Sequence, residues 1–285
     1  MSDIPLFRLL TRDEFSTAIS WAAAEWWNPG HHDADAFWAA DPSGFYGMFL
    51  DGELIGTASI VSYAGRLGFV GLFIVKPEWR GRGWGTQFWE FFIGKLSARL
   101  EPDAPMALDG VFTMQPYYAR SGFVFLHRNL RMEGKGIAGE VNCGLRDLRE
   151  IPQDHLANFD ARFFGVPRQE FLRRWISPEG GLGLASISQG EILGIGVVRP
   201  CLRGFKIGPL FAESEEIAEE IFCALSHHAA DSPLFLDIPE VNPDAQALAA
   251  RHGFREVFGC ARMVRGSAPD LPWRQIFGVT TFELG

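Results

Sequence analysis

No cysteine occurs among the first 142 residues, and the four that follow, Cys143, Cys201, Cys223 and Cys260, never form a C-x-x-C pair. A disulfide framework or a thiolate metal site needs closely spaced partners, so reduced core thiols and no metal are expected. No uncharged apolar run approaches the roughly 18 residues that cross a bilayer, and no basic-then-apolar leader opens the sequence. These absences predict a soluble, cytoplasmic protein with no membrane partner. Positive charge is scarce too: 26 Lys and Arg stand against 35 Asp and Glu, a formal net charge of −9. Nucleic-acid backbones are held by clustered positive charge, so they are excluded as the main partner. An acidic surface is compatible with a cationic small molecule.

What the sequence does hold is an ordered repeat. Arg120, Gly122, Phe123, Arg131 and Met132 return at one offset as Arg251, Gly253, Phe254, Arg262 and Met263. Upstream, "DGELIG" from Asp51 matches "QGEILG" from Gln189, and "ALDGV" from Ala107 has a looser counterpart in "FLDIP" from Phe235. The matches keep their order, which chance does not supply, so two homologous domains are expected. The Gly-rich stretch over 133–142 places the boundary: a first domain over 1–134, a linker over 135–142 and a second domain over 143–285.

Local signals give each half an α/β character with a mixed sheet. Thr11 and Glu14 form a capping box before a run with Phe15, Ile19 and Trp26 on one face. Residues 45–61 read as a hairpin turning at Asp51-Gly52. "FVGLFIV" is a short apolar strand. A helix bearing Phe88, Phe91, Phe92 and Leu96 follows, then the strand "MALD", a short helix around Tyr117–Arg120 capped by Gly122, and the strand "FVFLHRNLRM". In the second half Asn242-Pro243 supplies an N-cap and a first helical residue.

The most demanding stretch is "IVKPEWRGRGWGTQF" from Ile74. A helix N-terminus carries unpaired N–H groups and about half a positive charge. Gly81, Gly83 and Gly85 let the backbone curl until several N–H groups face one anion, and Arg80 and Arg82 add charge where a diphosphate would sit. No Lys follows the glycines, so this is not the nucleotide P-loop. Counting from Gly81, Thr86 stands where the dinucleotide fingerprint needs Gly or Ala. The remaining pattern, Val75 to Gly85 with Arg80, Gly83 and Gly85 at its core, resembles the acyl-CoA-binding motif of the GNAT superfamily of N-acetyltransferases.

That resemblance implies two tandem GNAT-like domains, each a mixed, mostly antiparallel sheet flanked by helices (α/β, or α+β by some schemes). It implies a cofactor-binding set of Phe73, Ile74 and Val75 on a splayed strand, with Arg80, Gly81, Arg82, Gly83, Trp84, Gly85 and Thr86 around the diphosphate. Tyr118, at the family's spacing before Gly122-Phe123, takes the role of general acid, with Tyr117 its neighbour and competitor. Where many relatives carry a glutamate on the strand before the loop, this strand has none. A water relay, Asp109 on the adjacent strand, or an amine arriving neutral would then meet the need for a base.

The second half has "FKIGPLFAESEEIAEE" at the corresponding place, keeping only Gly208 and gathering Glu213, Glu215 and Glu216, while Ala249 stands where the first half has Tyr118. Carboxylates suit a helix N-terminus but oppose a diphosphate. This half resembles the degenerate C-terminal domain of bacterial tandem members and is expected to shape the substrate pocket. "EWWNPGHHDADAF" offers aromatics beside polar groups for an ammonium, with Trp27, Asn28, His32 and Asp33 as candidate acceptor-binding residues. The implied activity is acetyl transfer from acetyl-CoA to a primary amine of a small molecule or peptide, by direct attack in a ternary complex, in a monomer or homodimer. A ping-pong route through Cys143 has no support, since it lies away from the loop. The alternative is a non-catalytic acyl-CoA sensor or partner-binding protein.

Overall fold

The computed structural model describes residues 4–137 and 144–285. The first half runs β1 (Leu6–Leu9), α1 (Arg12–Ala24), α2 (Asp33–Ala40), β2 (Phe45–Leu50), β3 (Glu53–Tyr63), β4 (Leu67–Val75), α3 (Trp84–Ser97), β5 (Met106–Val111), α4 (Gln115–Arg120) and β6 (Val124–Lys135). The second half runs β7 (Arg146–Asp147), α5 (Gln153–Phe164), α6 (Gln169–Trp175), β8 (Leu182–Ser188), β9 (Glu191–Pro200), β10 (Phe205–Ala212), α7 (Glu215–His228), β11 (Pro233–Pro239), α8 (Pro243–Arg251), β12 (Arg255–Arg265) and β13 (Ile276–Gly278).

Local chemistry sets the punctuation. Thr11 accepts from the Glu14 N–H while the Glu14 carboxylate accepts from the Thr11 N–H, so the capping box forms. Asp51 and Gly52 have φ of 49° and 85°, the left-handed pair that matches the twist of a two-residue hairpin. Asn242 accepts from the N–H groups of Asp244 and Ala245, with Pro243 in the first turn behind it. One expectation fails: α1 ends at Ala24, and Trp26 lies beyond it at φ 63°, 88% exposed. It is not part of the helix's buried face.

Two separate sheets would place β6 beside β5 and β12 beside β11. Instead the two last strands cross over. The order is β1-β2-β3-β4-β5-β12-β6-β11-β10-β9-β8-β7, one continuous sheet. β12 pairs antiparallel with β5, β6 pairs antiparallel with β11, and β6 and β12 pair with each other at the centre. Glu133, Gly134 and Lys135, read from sequence as the start of the Gly-rich boundary stretch, are strand residues paired with β11. The rest of the expected linker over 138–142, and Cys143, lie outside the described residues.

The crossing explains why the repeat keeps its Arg and Asp. Arg131 on β6 sits opposite Asp237 on β11, and Arg262 on β12 sits opposite Asp109 on β5. Each arginine makes a two-pronged bond to its partner, Arg131 at 2.7 and 2.7 Å and Arg262 at 2.8 and 2.6 Å. Every pair joins one half to the other. Planar guanidinium and carboxylate match in this geometry, which fixes strand register as well as charge.

Alternation along the strands then feeds three cores. α3 lays Phe88, Phe92 and Leu96 on a first-half core with Met106, Leu108 and Met263; α7 and α8 pack Ile221, Phe222 and Leu248 on a second-half core. The opposite face is shared. Phe15, Phe37 and Phe69 join Trp175, Phe211 and Phe282 in one cluster drawn from both halves.

His127 on β6 is buried against Trp273, with its Nε2 unpartnered. Burial, reinforced by the Arg262 cation, lowers its pKa to about 4. The unfolded chain takes up that proton near pH 6.5, so stability is full above about pH 7 and falls as pH drops toward 4, by about 3 kcal/mol. His127→Phe should flatten the fall in Tm measured between pH 7.5 and 4.5; an unchanged slope would place the titration elsewhere.

Candidate active site

The site begins with a bulge. β4 pairs with the parallel β5 only over Gly68–Val70 against Met106–Leu108. Beyond Val70, Leu72 takes a φ of 46°, the register with β3 slips between Thr57 and Ser59, and the Thr57 hydroxyl pins the kink by donating to the Leu72 carbonyl at 3.0 Å. β4 continues beside β3 to Val75 while β5 stays with β12. A notch therefore opens between Phe73–Val75 and Gly110–Val111. An extra residue in a strand bends it away from its neighbour in this manner.

At the notch's outer end the glycine turn is built as an open nest. Gly81 and Gly83 have φ of 77° and 79°, and a Cβ added to either would meet no atom within 4 Å. α3 starts at Trp84 with Gly83 as its N-cap and no side chain bonded there. Among the described residues no hydrogen bond uses the N–H groups of Gly81 through Gly85; Thr86 and Gln87 donate to the Gly83 carbonyl. Free donors at the positive end of a 14-residue helix make an anion site. Arg80 braces the loop from behind, donating to the Val75 carbonyl at 2.7 Å and to Glu25 at 2.5 Å. Arg82 lies over the rings of Trp79 and Trp84. The turn is thus open, unobstructed by side chains, and flanked by two arginines.

Notch and nest open into one cavity of about 630 Å³. Phe73, Ile74, Val75, Arg80, Gly81, Gly83, Gly85 and Thr86 line it; Arg82 and Trp84, expected beside them, do not. Tyr118 lies at its inner wall, 7% exposed, its ring 5.0 Å from that of Trp89. Gly110 makes room for it, because a Cβ there would lie 2.3 Å from the Tyr118 ring. Burial raises the Tyr118 pKa well above that of a free phenol. It holds its proton at neutral pH, as a donor must. Tyr117 is also raised by burial, with its hydroxyl buried on the Thr86 side.

Asp109 is not a free base. Its carboxylate is held by both prongs of Arg262 and by the Asn129 amide at 2.8 Å, with its side chain fully buried. Both of its oxygens are therefore already engaged within the protein. Its role is the interhalf ion pair.

The candidate acceptor residues divide. Trp27 lines the cavity, and its carbonyl accepts from Arg131 at 2.6 Å. Asn28, His32 and Asp33 do not reach the cavity. Asn28 exchanges two hydrogen bonds with the Arg203 backbone. Asp33 is buried in an ion pair with Arg199 at 2.7 Å and caps the Gly30 N–H. His32 sits beside that pair in a crevice with Trp175 and Pro178. These residues fasten the N-terminal loop to the second half, since a buried aspartate needs the arginine it finds there.

Sequence reasoning expected the second half to shape the pocket but did not find the residues that do so: Phe258 and Cys260 from β12, and Phe282 and Glu283 from the C-terminal tail. Only the strand crossing brings them within reach. Cys260 is no nucleophile, as burial and the Asp109 charge push its thiol well up. One group of possible metal ligands occurs among the described residues, Glu219, Cys223 and His252, but Arg251 already occupies Glu219 at 2.7 Å.

The second half's corresponding site is closed. Ser214 caps α7 by accepting from the Ile217 N–H, and Glu213 is paired with Arg162. β10 and the parallel β11 pair only over Phe205–Ile207, but the gap beyond is filled by the chain itself: β13 pairs with β10, and the Val279 N–H donates to the Asp237 carbonyl at 2.8 Å.

Two α/β halves on one sheet, one with an open nest beside a splayed strand pair and one with both closed, define a tandem GNAT protein. Comparison with known proteins agrees: the chain carries two GNAT acetyltransferase domains, residues 6–123 matching the description "Acetyltransferase (GNAT) family" and residues 156–278 matching "Acetyltransferase (GNAT) domain". It is 26% identical over 275 residues to "Holothin acyltransferase" of Pseudoalteromonas sp. (strain SANK 73390), covering 96% of this chain and 92% of that one. A putative acetyltransferase from Pyrococcus horikoshii superposes with a TM-score of 0.84 at 25% identity, over 100% of this chain and 97% of that one. A tandem GNAT protein from the clavulanic acid biosynthesis pathway shares the fold, with a TM-score of 0.61 at 13% identity over 93% and 99% of the two chains.

Proposed function

We propose that the protein is an acetyl-CoA-dependent N-acetyltransferase acting on a primary amine of a small molecule or peptide by direct transfer in a ternary complex. The observation that carries this reading is a single cavity lined both by an open N–H nest and by a protonated, buried tyrosine. The acyltransferase name of the relative covering most of both chains supports the same reaction class.

Acetyl-CoA, when bound, supplies an activated thioester. The N–H groups of Gly81 to Gly85 would hold its diphosphate, with the α3 N-terminus stabilising the charge. The free edge of Phe73–Val75 would pair with the amides of its arm, because no β5 partner competes there. Tyr118 would donate its proton to the departing sulfur. Holding thioester and amine in line contributes roughly 7–11 kcal/mol by itself, so chemistry does not rest on one proton donor.

Thiol release from acetyl-CoA, followed with a panel of amines, tests the reading. Tyr118→Phe should lower kcat by about 100-fold, the lower range for general acid catalysis, with the KM for acetyl-CoA unchanged. Tight acetyl-CoA binding with no amine-dependent release in the wild type would favour the sensor alternative.

A further inference from the structure

We propose that Glu283, carried in by the C-terminal tail of the second half, accepts the proton of the attacking amine. The proposal rests on the transferase reading above and supplies the base that β4 lacks.

Three carboxylate-bearing residues line the cavity among the described residues: Glu25, Asp109 and Glu283. Glu25 at the mouth is taken by Arg80, and Asp109 by Arg262 and Asn129. Glu283 is 5% exposed and, among the described residues, has no cation within ion-pair distance; its carboxylate accepts from the Thr281 hydroxyl, which leaves lone pairs free for an incoming N–H.

The tail is fixed at several points. After β13 closes the second half's gap, the Leu284 carbonyl accepts from the Tyr63 hydroxyl at 2.9 Å, and the Gly285 carbonyl accepts from Arg168 at 2.9 Å. The Glu283 backbone lies against the β4 bulge itself. A Cβ at Gly71 would stand 2.0 Å from the Glu283 carbonyl oxygen, so only glycine lets the tail approach there. β4 has thus given up side-chain volume where the backbone of the carboxylate-bearing residue passes. Trp27, Phe258 and Phe282 wall the same region, which suits a compact amine with an apolar body.

The step balances as follows. The amine nitrogen forms a bond to the thioester carbonyl carbon, the C–S bond breaks, and its electron pair leaves with sulfur. An amine arriving as ammonium first gives one proton to Glu283; once the neutral nitrogen has attacked, its second proton passes to water while Tyr118 protonates the sulfur, and Glu283 and Tyr118 then re-equilibrate with water. The charged and titratable groups around Glu283 are Arg131 on β6, Arg199 on β9 and Cys260 on β12. Both arginines keep their charge across the working range, paired with Asp237 and Asp33.

The test uses the full chain, acetyl-CoA, and 2-phenylethylamine, tryptamine and spermidine as acceptors. Glu283→Gln should leave the calorimetric Kd for acetyl-CoA within threefold of wild type. It should lower kcat/KM for the best amine about 100-fold at pH 7. That deficit should narrow as pH rises toward 10, where a growing share of an amine with an ordinary pKa near 10.4 arrives neutral and needs no base to become nucleophilic. Glu283→Asp should recover part of the loss. A Glu283→Gln enzyme within threefold of wild type, or a deficit constant with pH, overturns the assignment and leaves the transferase reading intact. Absence of wild-type turnover with every amine overturns both.

Discussion

Gly83→Asp is expected to weaken acetyl-CoA binding by at least 100-fold, measured by titration calorimetry, in a protein that still folds. Position 83 has a φ of 79°, where a non-glycine residue costs about 1–2 kcal/mol and Asp is among the most tolerant. It is also the N-cap of α3, a place that welcomes a carboxylate. Stability should therefore change little, by a few degrees in Tm at most. Binding suffers twice. The carboxylate would accept from the first N–H groups of α3, consuming the donors that the diphosphate needs. It would also set like charge against like, about 4 kcal/mol at 4 Å and an effective dielectric of 20, less at this exposed loop. Gly83→Asn carries the same backbone demand without the charge and should lose less than tenfold. Equal losses in the two variants would mean that the nest does not hold an anion.

The second large effect is on stability. Asp237→Ala should cost about 3–5 kcal/mol, because Arg131 is left buried without its counter-ion. Arg131 and Asp237 are 3% and 2% exposed, and Lys206, itself buried with its pKa lowered by burial and by Arg131, lies within their field. For a chain of this size the loss corresponds to a drop of roughly 6–20 °C in Tm by calorimetry. The double change Arg131→Met with Asp237→Leu removes both charges and should recover most of it. If Asp237→Ala alone melts like wild type, the crossed pair does not join the halves. A depressed pKa has a fixed sign: the stability contributed by Asp237 is present above the ordinary carboxylate range and is lost as pH falls below it.

Much of the local structure was legible. The capping box at Thr11, the turn at Asp51-Gly52 and the cap at Asn242 each formed as read, since a few neighbouring residues satisfy their own backbone groups. The nest was legible for the same reason. Glycine spacing dictates where backbone can curl, and only the strand beside it needed confirmation. Trp26 misled because helical spacing continues past Ala24 while the backbone leaves the helix. Asn28, His32 and Asp33 misled because polar residues among aromatics read alike whether they face a ligand or a buried arginine. Glu283 gave no signal at all, being one carboxylate in a short tail with no motif around it.

The sequence by itself determined that there are two like halves, that one carries an open glycine turn at a helix start and that the other does not. Those properties reside in backbone freedom and local charge, which a dozen consecutive residues define. It also held Arg131, Arg262, Asp109 and Asp237, two copies of a pair. Only the tertiary structure decided that each arginine takes the aspartate of the other half. Identical repeats satisfy an arginine equally well within a half or across halves, and nothing local chooses between them. The choice is made by the continuous sheet, in which β6 and β12 trade places and bury more strand edge than two separate sheets would. With that exchange the closed half's tail is drawn under the open half, and the cavity acquires a wall that no reading of the first half alone contains.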